Sequence, residues 1–153
     1  MKKALLLDTS IGTSNVGDHI IMECVEQELV PILANAFVFY LPTHVPAFHS
    51  YAIWKNSFAV QNYASCDYKF IGGSNILAKD MRTHYPQWNV NIFNCKPLSG
   101  SICVGVGAGA GEHTDAYTTH LYRKILSHSY YHSVRDERSK RYVEDVLGLK
   151  AIN

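Results

Sequence analysis

The side chains able to do chemistry fall in four short stretches, each following an apolar run. The first is Thr9-Ser10-Ile11-Gly12-Thr13-Ser14-Asn15-Val16-Gly17-Asp18, after Ala4–Leu7. The second is Gly72-Gly73-Ser74-Asn75, the third Gly107-Ala108-Gly109-Ala110-Gly111, and the fourth Arg135-Asp136-Glu137 with Ser139 close behind. Small residues let backbone N–H groups approach a ligand, and hydroxyls, amides and carboxylates read hydroxylated compounds. Arg135 adds a rigid fork of donors suited to a carboxylate or phosphate, or else it pairs with Asp18 or Glu137 and shapes the edge. The first stretch is not a phosphate cradle. Gly12 and Gly17 stand five apart, no Lys follows, and neither GxxxxGK[ST] nor GxGxxG is present. Asp18 at a helix start opposes an anion there, and suits either a sugar hydroxyl or a capping role. It is the candidate catalytic contact, and no general base is assigned. Asp136 and Ser139 either face a ligand or cap the next helix. Gly107 and Gly109 serve either close packing or a ligand edge.

Other chemistries find little support. The eight histidines include no HExxH and no His/Cys pairing, so no metal site is expected. There is no GxSxG nucleophile elbow. Cys24, Cys66, Cys95 and Cys103 are scattered without CxxC spacing, which predicts reduced thiols in a cytoplasmic protein. A net charge of +1 with mixed signs points to neither nucleic acid nor a membrane surface. The run after Met1-Lys2-Lys3 meets Asp8 too soon for a signal peptide, and no apolar run approaches the ~20 residues of a membrane span. Ten tyrosines are compatible with a carbohydrate-handling surface or with amphipathic core edges; Trp54 and Trp88 are expected in core or rim.

The elements that must position these stretches alternate. Strands are predicted at 4–8, 36–41, 67–71, 101–106, 130–134 and 149–152. Helices are predicted at 18–34, where Pro31 should kink or end the helix, and at 51–63, 114–127 and 137–147, the last closed by Gly148. The apolar face of the first helix is read as Ile20, Ile21, Cys24, Val25, Leu29, Ile32 and Leu33. Residues 76–94, split by Pro86, are ambiguous. Such alternation predicts a single α/β domain over 1–153, a Rossmann-like parallel sheet with helices on both faces. The four polar stretches then share the carboxyl edge of the sheet, where such folds bind ligands.

Taken in order, the motifs resemble those of the polysaccharide pyruvyl transferase family. Ser14-Asn15-Val16-Gly17-Asp18 resembles its N-x-G-D loop, Gly72-Gly73-Ser74 its G-G-G/S turn and Gly105-Val106-Gly107-Ala108-Gly109 its G-x-G segment. Ser133-Val134-Arg135-Asp136-Glu137-Arg138-Ser139 with Leu147-Gly148-Leu149 resembles its S-V-R-D-x-x-S…L-G-V element. The resemblance implies one half of a glycosyltransferase B type fold. It also implies transfer of a pyruvyl group from phosphoenolpyruvate, a donor substrate and not a cofactor, to a hydroxyl of a cell-surface glycan or its precursor. It carries Asn15, Gly17, Asp18, Gly72, Gly73, Ser74, Arg135, Asp136 and Ser139 to the cleft, beside Asn75, Gly107 and Gly109. Only the family's N-terminal half is covered, so catalysis is expected to need a second, more basic domain. Two rival readings stand beside it: a non-catalytic binding or homodimerising α/β module, and a flavodoxin-like FMN binder.

Overall fold

The structure, a computed structural model, describes residues 1–82, 88–109 and 114–153. Its centre is β1 (Lys2–Asp8), flanked in parallel by β2 (Ala36–Pro42) and β3 (Tyr68–Gly72), with β4 (Ile102–Val104) beyond β3 in the order β2-β1-β3-β4. Ala4, Leu5, Leu6 and Leu7 are wholly buried because both faces of β1 are covered, which is why the strand reads as an unbroken apolar run. Leu5, Leu7 and Ile71 point into the larger core; Leu6 and Phe70 point into a smaller one. The smaller core is closed by α1 (Val16–Leu33). The larger is closed by α3 (Phe58–Ala64), α4 (Ala116–Ile125) and the segment after α5 (Glu137–Arg141). Helices therefore lie on both faces of a parallel sheet, as the alternation predicts.

Several boundaries differ from expectation. The buried stripe of α1 is Asp18, Met22, Val25 and Leu29, while Ile20, Cys24 and Ile32 are exposed. The helix is turned so that Ile21 and Met22 sit on Gly73 and Gly72, and contact with the glycine turn decides which face is inside. Pro31 is accepted in the last turn, two residues before the helix ends. The helix expected at 51–63 is two: α2 (Ser50–Trp54) and α3, broken at Asn56, whose φ is +48°, with Ser57 capping α3. Residues 76–82 and 88–94 form neither helix nor strand apart from a bridge of Leu77 to Ala108, and Pro86 lies outside the described residues. Past α5 the backbone widens into a π-turn over Tyr142–Val146.

The last two strands shrink to β5 (His132–Ser133) and β6 (Ala151–Ile152), paired with each other. They join the main sheet where Val134, directly after β5, bridges to Val106; a separate bridge ties Ser101, just before β4, to Leu126 at the end of α4. His132 explains the gap between β4 and β5. Its ring is fully buried, and its Nδ1 accepts from the Cys103 N–H at 3.1 Å. The proton therefore sits on Nε2, which donates to the Ser127 carbonyl at 2.9 Å. An imidazole stands where a ladder bond would otherwise run.

Burial holds the His132 pKa below its ordinary 6.5, and His128 nearby pushes the same way. Between that value and 6.5 the unfolded chain binds a proton that the folded chain refuses. Stability is therefore expected to be full above pH 6.5 and to fall as pH drops below it. His132→Ala should remove this dependence and cost about 2–4 kcal/mol, since it leaves a cavity and two unpaired backbone groups. Urea denaturation of both proteins across this pH range measures both effects.

Candidate functional site

At the carboxyl end of β1 the loop 9–15 is tied down from several directions. Asn15 is the N-cap of α1: its Oδ1 accepts from the Gly17 N–H at 3.1 Å. Its Nδ2 donates to Asp18 Oδ2 at 3.2 Å. Asp18 Oδ1 in turn accepts from the Ser74 hydroxyl at 3.1 Å, which links the first polar stretch to the second. His44 Nε2 lies 3.8 Å from Asp18 Oδ2 and 2.8 Å from the Thr9 carbonyl. The Thr9 hydroxyl reaches the Gly72 carbonyl at 3.4 Å. Asp18 is only 2% exposed. Its charge is tolerated there because two side-chain donors and the positive end of an 18-residue helix face it.

The cap alternative for Asp18 therefore falls to Asn15, and Asp18 becomes the knot between loops. His44 is the residue the sequence reading passed over. The signal available for it was position: it stands two residues beyond β2, at the same sheet edge as the other candidates.

A second seam joins the glycine turn to the glycine-rich loop after β4. Gly73 N–H donates to the Val104 carbonyl at 2.9 Å, Gly107 N–H to Ser74 at 2.7 Å and Gly109 N–H to Leu77 at 2.8 Å. Gly73 and Ser74 take the left-handed region at φ +56° and +57°. A Cβ on Gly73 would collide with Ile21, so glycine is required there both by conformation and by space. A Cβ on Gly107 would lie 2.5 Å from both Arg135 Nε and Asn75 Oδ1, so its absence lets those two side chains converge.

Arg135 projects from the end of β5 with its side chain 45% exposed. It pairs with neither Asp18 nor Glu137, and its Nε donates instead to Asp136 Oδ2 at 3.3 Å. Asp136 caps α5 through the Ser139 N–H at 2.7 Å, a bond that holds its carboxyl below the usual range. Ser139 is fully buried and its hydroxyl accepts from the Ala108 N–H at 2.8 Å, so it staples α5 to the glycine-rich loop. The structure thus separates the candidates. Asp18, Gly72, Gly73, Ser74 and Ser139 are internal supports, whereas Asn15, Gly17, Arg135 and Asp136 reach solvent and Asn75 is half-buried. Gly109 packs on the backbone of Leu77 and Ala78, and Gly111 lies outside the described residues.

Among the described residues no cluster of His, Cys, Asp and Glu could hold a metal ion, and no helix is long and apolar enough to cross a membrane. The four cysteines are free thiols, and burial pushes Cys103 up to about 12, far from a nucleophile's range.

The sequence profile of the polysaccharide pyruvyl transferase family matches residues 15–153 of the chain. The chain belongs to this family. No curated protein and no solved structure matches it significantly. The match opens on Asn15 and takes in Asp18, the Gly72–Asn75 turn, Gly107 and Arg135, so the pyruvyl transferase pattern covers both seams.

Removing the carboxylate of Asp18 takes an acceptor from the buried Ser74 hydroxyl and from the Asn15 amide. Asp18→Ala is expected to cost about 2–4 kcal/mol in urea denaturation and to speed amide exchange across residues 9–18 and 72–75. Asp18→Asn should cost less, because its amide oxygen still accepts from Ser74. Gly73→Ala should be the most damaging of the three.

Proposed function

We propose that this protein takes part in moving a pyruvyl group from phosphoenolpyruvate to a sugar of a cell-surface glycan or its precursor. In that reaction two hydroxyls of one sugar add to C2 of the enolpyruvyl group and the C2–O bond to phosphate breaks. One hydroxyl proton ends on C3, making the methyl group, and the other leaves with inorganic phosphate. The observation that carries the reading is the family match laid over a carboxyl-edge site in which Arg135 lies open against Gly107 and Asn75.

In this reading Arg135 meets the donor. Its Nε is held by Asp136, which leaves the terminal nitrogens to approach a carboxylate or phosphate. One guanidinium does not neutralise a carboxylate and a phosphate together, so further cations are expected from a second α/β half. Asp18 and His44 act as positioning residues. They fix the loop after β1 against the Gly72–Ser74 turn, so that the backbone of residues 10–14 and the Asn15 amide form one wall of the cleft. In this reading the donor is drawn from the cytoplasmic metabolite pool and the reaction runs on the cytoplasmic side.

The test is inorganic phosphate released from phosphoenolpyruvate in the presence of neutral disaccharides, with mass spectrometry of the sugar. It is run on this chain and on the same chain joined to a pyruvyl transferase C-terminal half. Turnover is expected only with the second half present. Arg135→Lys should then lower kcat/KM by about 100-fold, because it loses the planar fork. Turnover by the 153-residue chain alone would overturn the two-half idea. No phosphate release from the completed protein with any sugar would overturn the transferase reading.

A further inference from the structure

Beyond the Asp18 and Arg135 clusters, the structure contains a cavity of about 660 Å³ between α2 and residues 89–94. This falls within the ~300–1,000 Å³ of small-molecule sites. Its walls are unusual for this chain in three ways. Two large aromatic side chains, Trp54 and Phe93, are 73% and 81% exposed, while Phe48 beneath them is buried. Among the described residues, none that lines it is Asp, Glu, Lys or Arg. The polar side chains are amides, one imidazole and one hydroxyl: Asn89, Asn91, Asn94, His49 and Ser50.

The polar groups present donors. Asn91 Oδ1 accepts from the Phe93 N–H at 2.9 Å, and Asn94 Oδ1 accepts from the Asn91 N–H at 2.7 Å. With both oxygens committed to the turn, the two amide NH2 groups remain to donate. His49 Nδ1 accepts from the Tyr51 N–H at 3.2 Å, which leaves the proton on Nε2. The same two bonds fix the turn and hold Phe93 outward. Trp54 is held from one side by Lys55, whose Nζ stands 4.4 Å from the ring centroid.

We propose that this groove is a saccharide subsite that takes a neutral sugar ring, with its C–H face stacked on Trp54 or Phe93 and its hydroxyl oxygens accepting from the Asn and His donors. Aromatic faces carry negative quadrupole charge and attract the polarised C–H groups of a pyranose. The lining among the described residues carries no formal charge, and Lys55 beside it is engaged with the Trp54 ring, so the groove does not offset the desolvation of phosphoenolpyruvate or a sugar phosphate. The groove also connects to the cleft. Asn89 N–H donates to the Thr43 carbonyl at 2.7 Å, and the next residue, His44, bonds to Thr9. Naming the bound sugar as the acceptor rests on the transferase reading; the binding itself does not.

The test is binding without donor or turnover. Lactose, cellobiose and N,N′-diacetylchitobiose are titrated against the chain by saturation-transfer NMR, with glucose 6-phosphate and phosphoenolpyruvate as charged probes. At least one neutral disaccharide is expected to bind with a weak Kd, about millimolar. Saturation should fall on ring C–H protons, and the charged probes should bind less well. Trp54→Ala and Phe93→Ala together should weaken binding by about tenfold or more. Asn89→Ala, which removes an amide with no hydrogen bond among the described residues, should weaken it less. Trp54 and Phe93 are exposed, so these variants should keep the parent's melting temperature.

No binding of any neutral sugar, binding unchanged in the double variant, or preference for a charged probe each overturns the proposal. So does concentration-dependent dimerisation that Trp54→Ala abolishes with no response to sugar. If sugar binding fails while the completed protein still releases phosphate, the acceptor sits elsewhere and the transferase reading survives. If sugar binding holds while phosphate release fails, the reaction is wrong and the subsite stands.

Discussion

A buried carboxylate governs this edge of the protein. Asp18 cannot be taken out of water cheaply, so everything near it is arranged to keep its charge paired. Asn15 and Ser74 donate to it, His44 stands beside it, and the first turn of α1 adds its field. Each partner comes from a different segment: the loop after β1, the turn after β3 and the loop after β2. Satisfying one side chain therefore fixes three loops at once. Because Ser74 is in the left-handed region, its hydroxyl reaches Asp18 only if Gly73 turns the chain first, and that turn leaves room only for Ile21. Local strain at the turn and charge burial at the helix start support each other.

The same logic runs one strand further. Ser139 and Gly107 do for the second seam what Asp18 and Gly73 do for the first. A buried hydroxyl ties α5 to the glycine-rich loop, and a missing Cβ lets Arg135 and Asn75 meet. His132 then permits the sheet to continue past β4 with short strands, because its ring takes the Cys103 N–H that a longer strand would have paired. The rigid interior thus ends in loops whose positions are over-determined, which is the condition for a site with fixed geometry.

The sheet was legible because burial on both faces leaves a mark that composition alone carries: the unbroken run Ala4–Leu7, followed by small polar residues. The strand-helix order followed from that. What escaped was whatever depends on contacts between distant segments. The face of α1 is set by packing on Gly72 and Gly73, so a helical count of apolar residues chose Ile20 and Ile32 in place of Met22. The break at Asn56 is one left-handed residue in an otherwise helical composition. At the site, the residue types in the four stretches were readable, and their division of labour was not. Asp18 and Ser139 look the same in sequence as ligand contacts or as staples, and only burial separates the two. His44 had no motif to announce it, since its part depends on a bond to a backbone carbonyl 35 positions away.

Charge separates the two open regions. Arg135 brings a cation to the ends of β4 and β5, while the described lining of the groove by α2 offers aromatic faces and amides and no formally charged residue. The proposed transfer of an acidic group to a neutral sugar would use that contrast. An anionic donor and a polyhydroxy acceptor compete poorly for each other's pocket if one is cationic and the other uncharged, since each mismatch leaves a polar group desolvated and unpaired. The Asp18 knot lies between them and keeps its own negative charge out of solvent. In the proposed reaction an exposed carboxylate at that point would repel an anionic donor. Enclosed by Asn15, Ser74 and His44, it holds the wall in place with its charge already met.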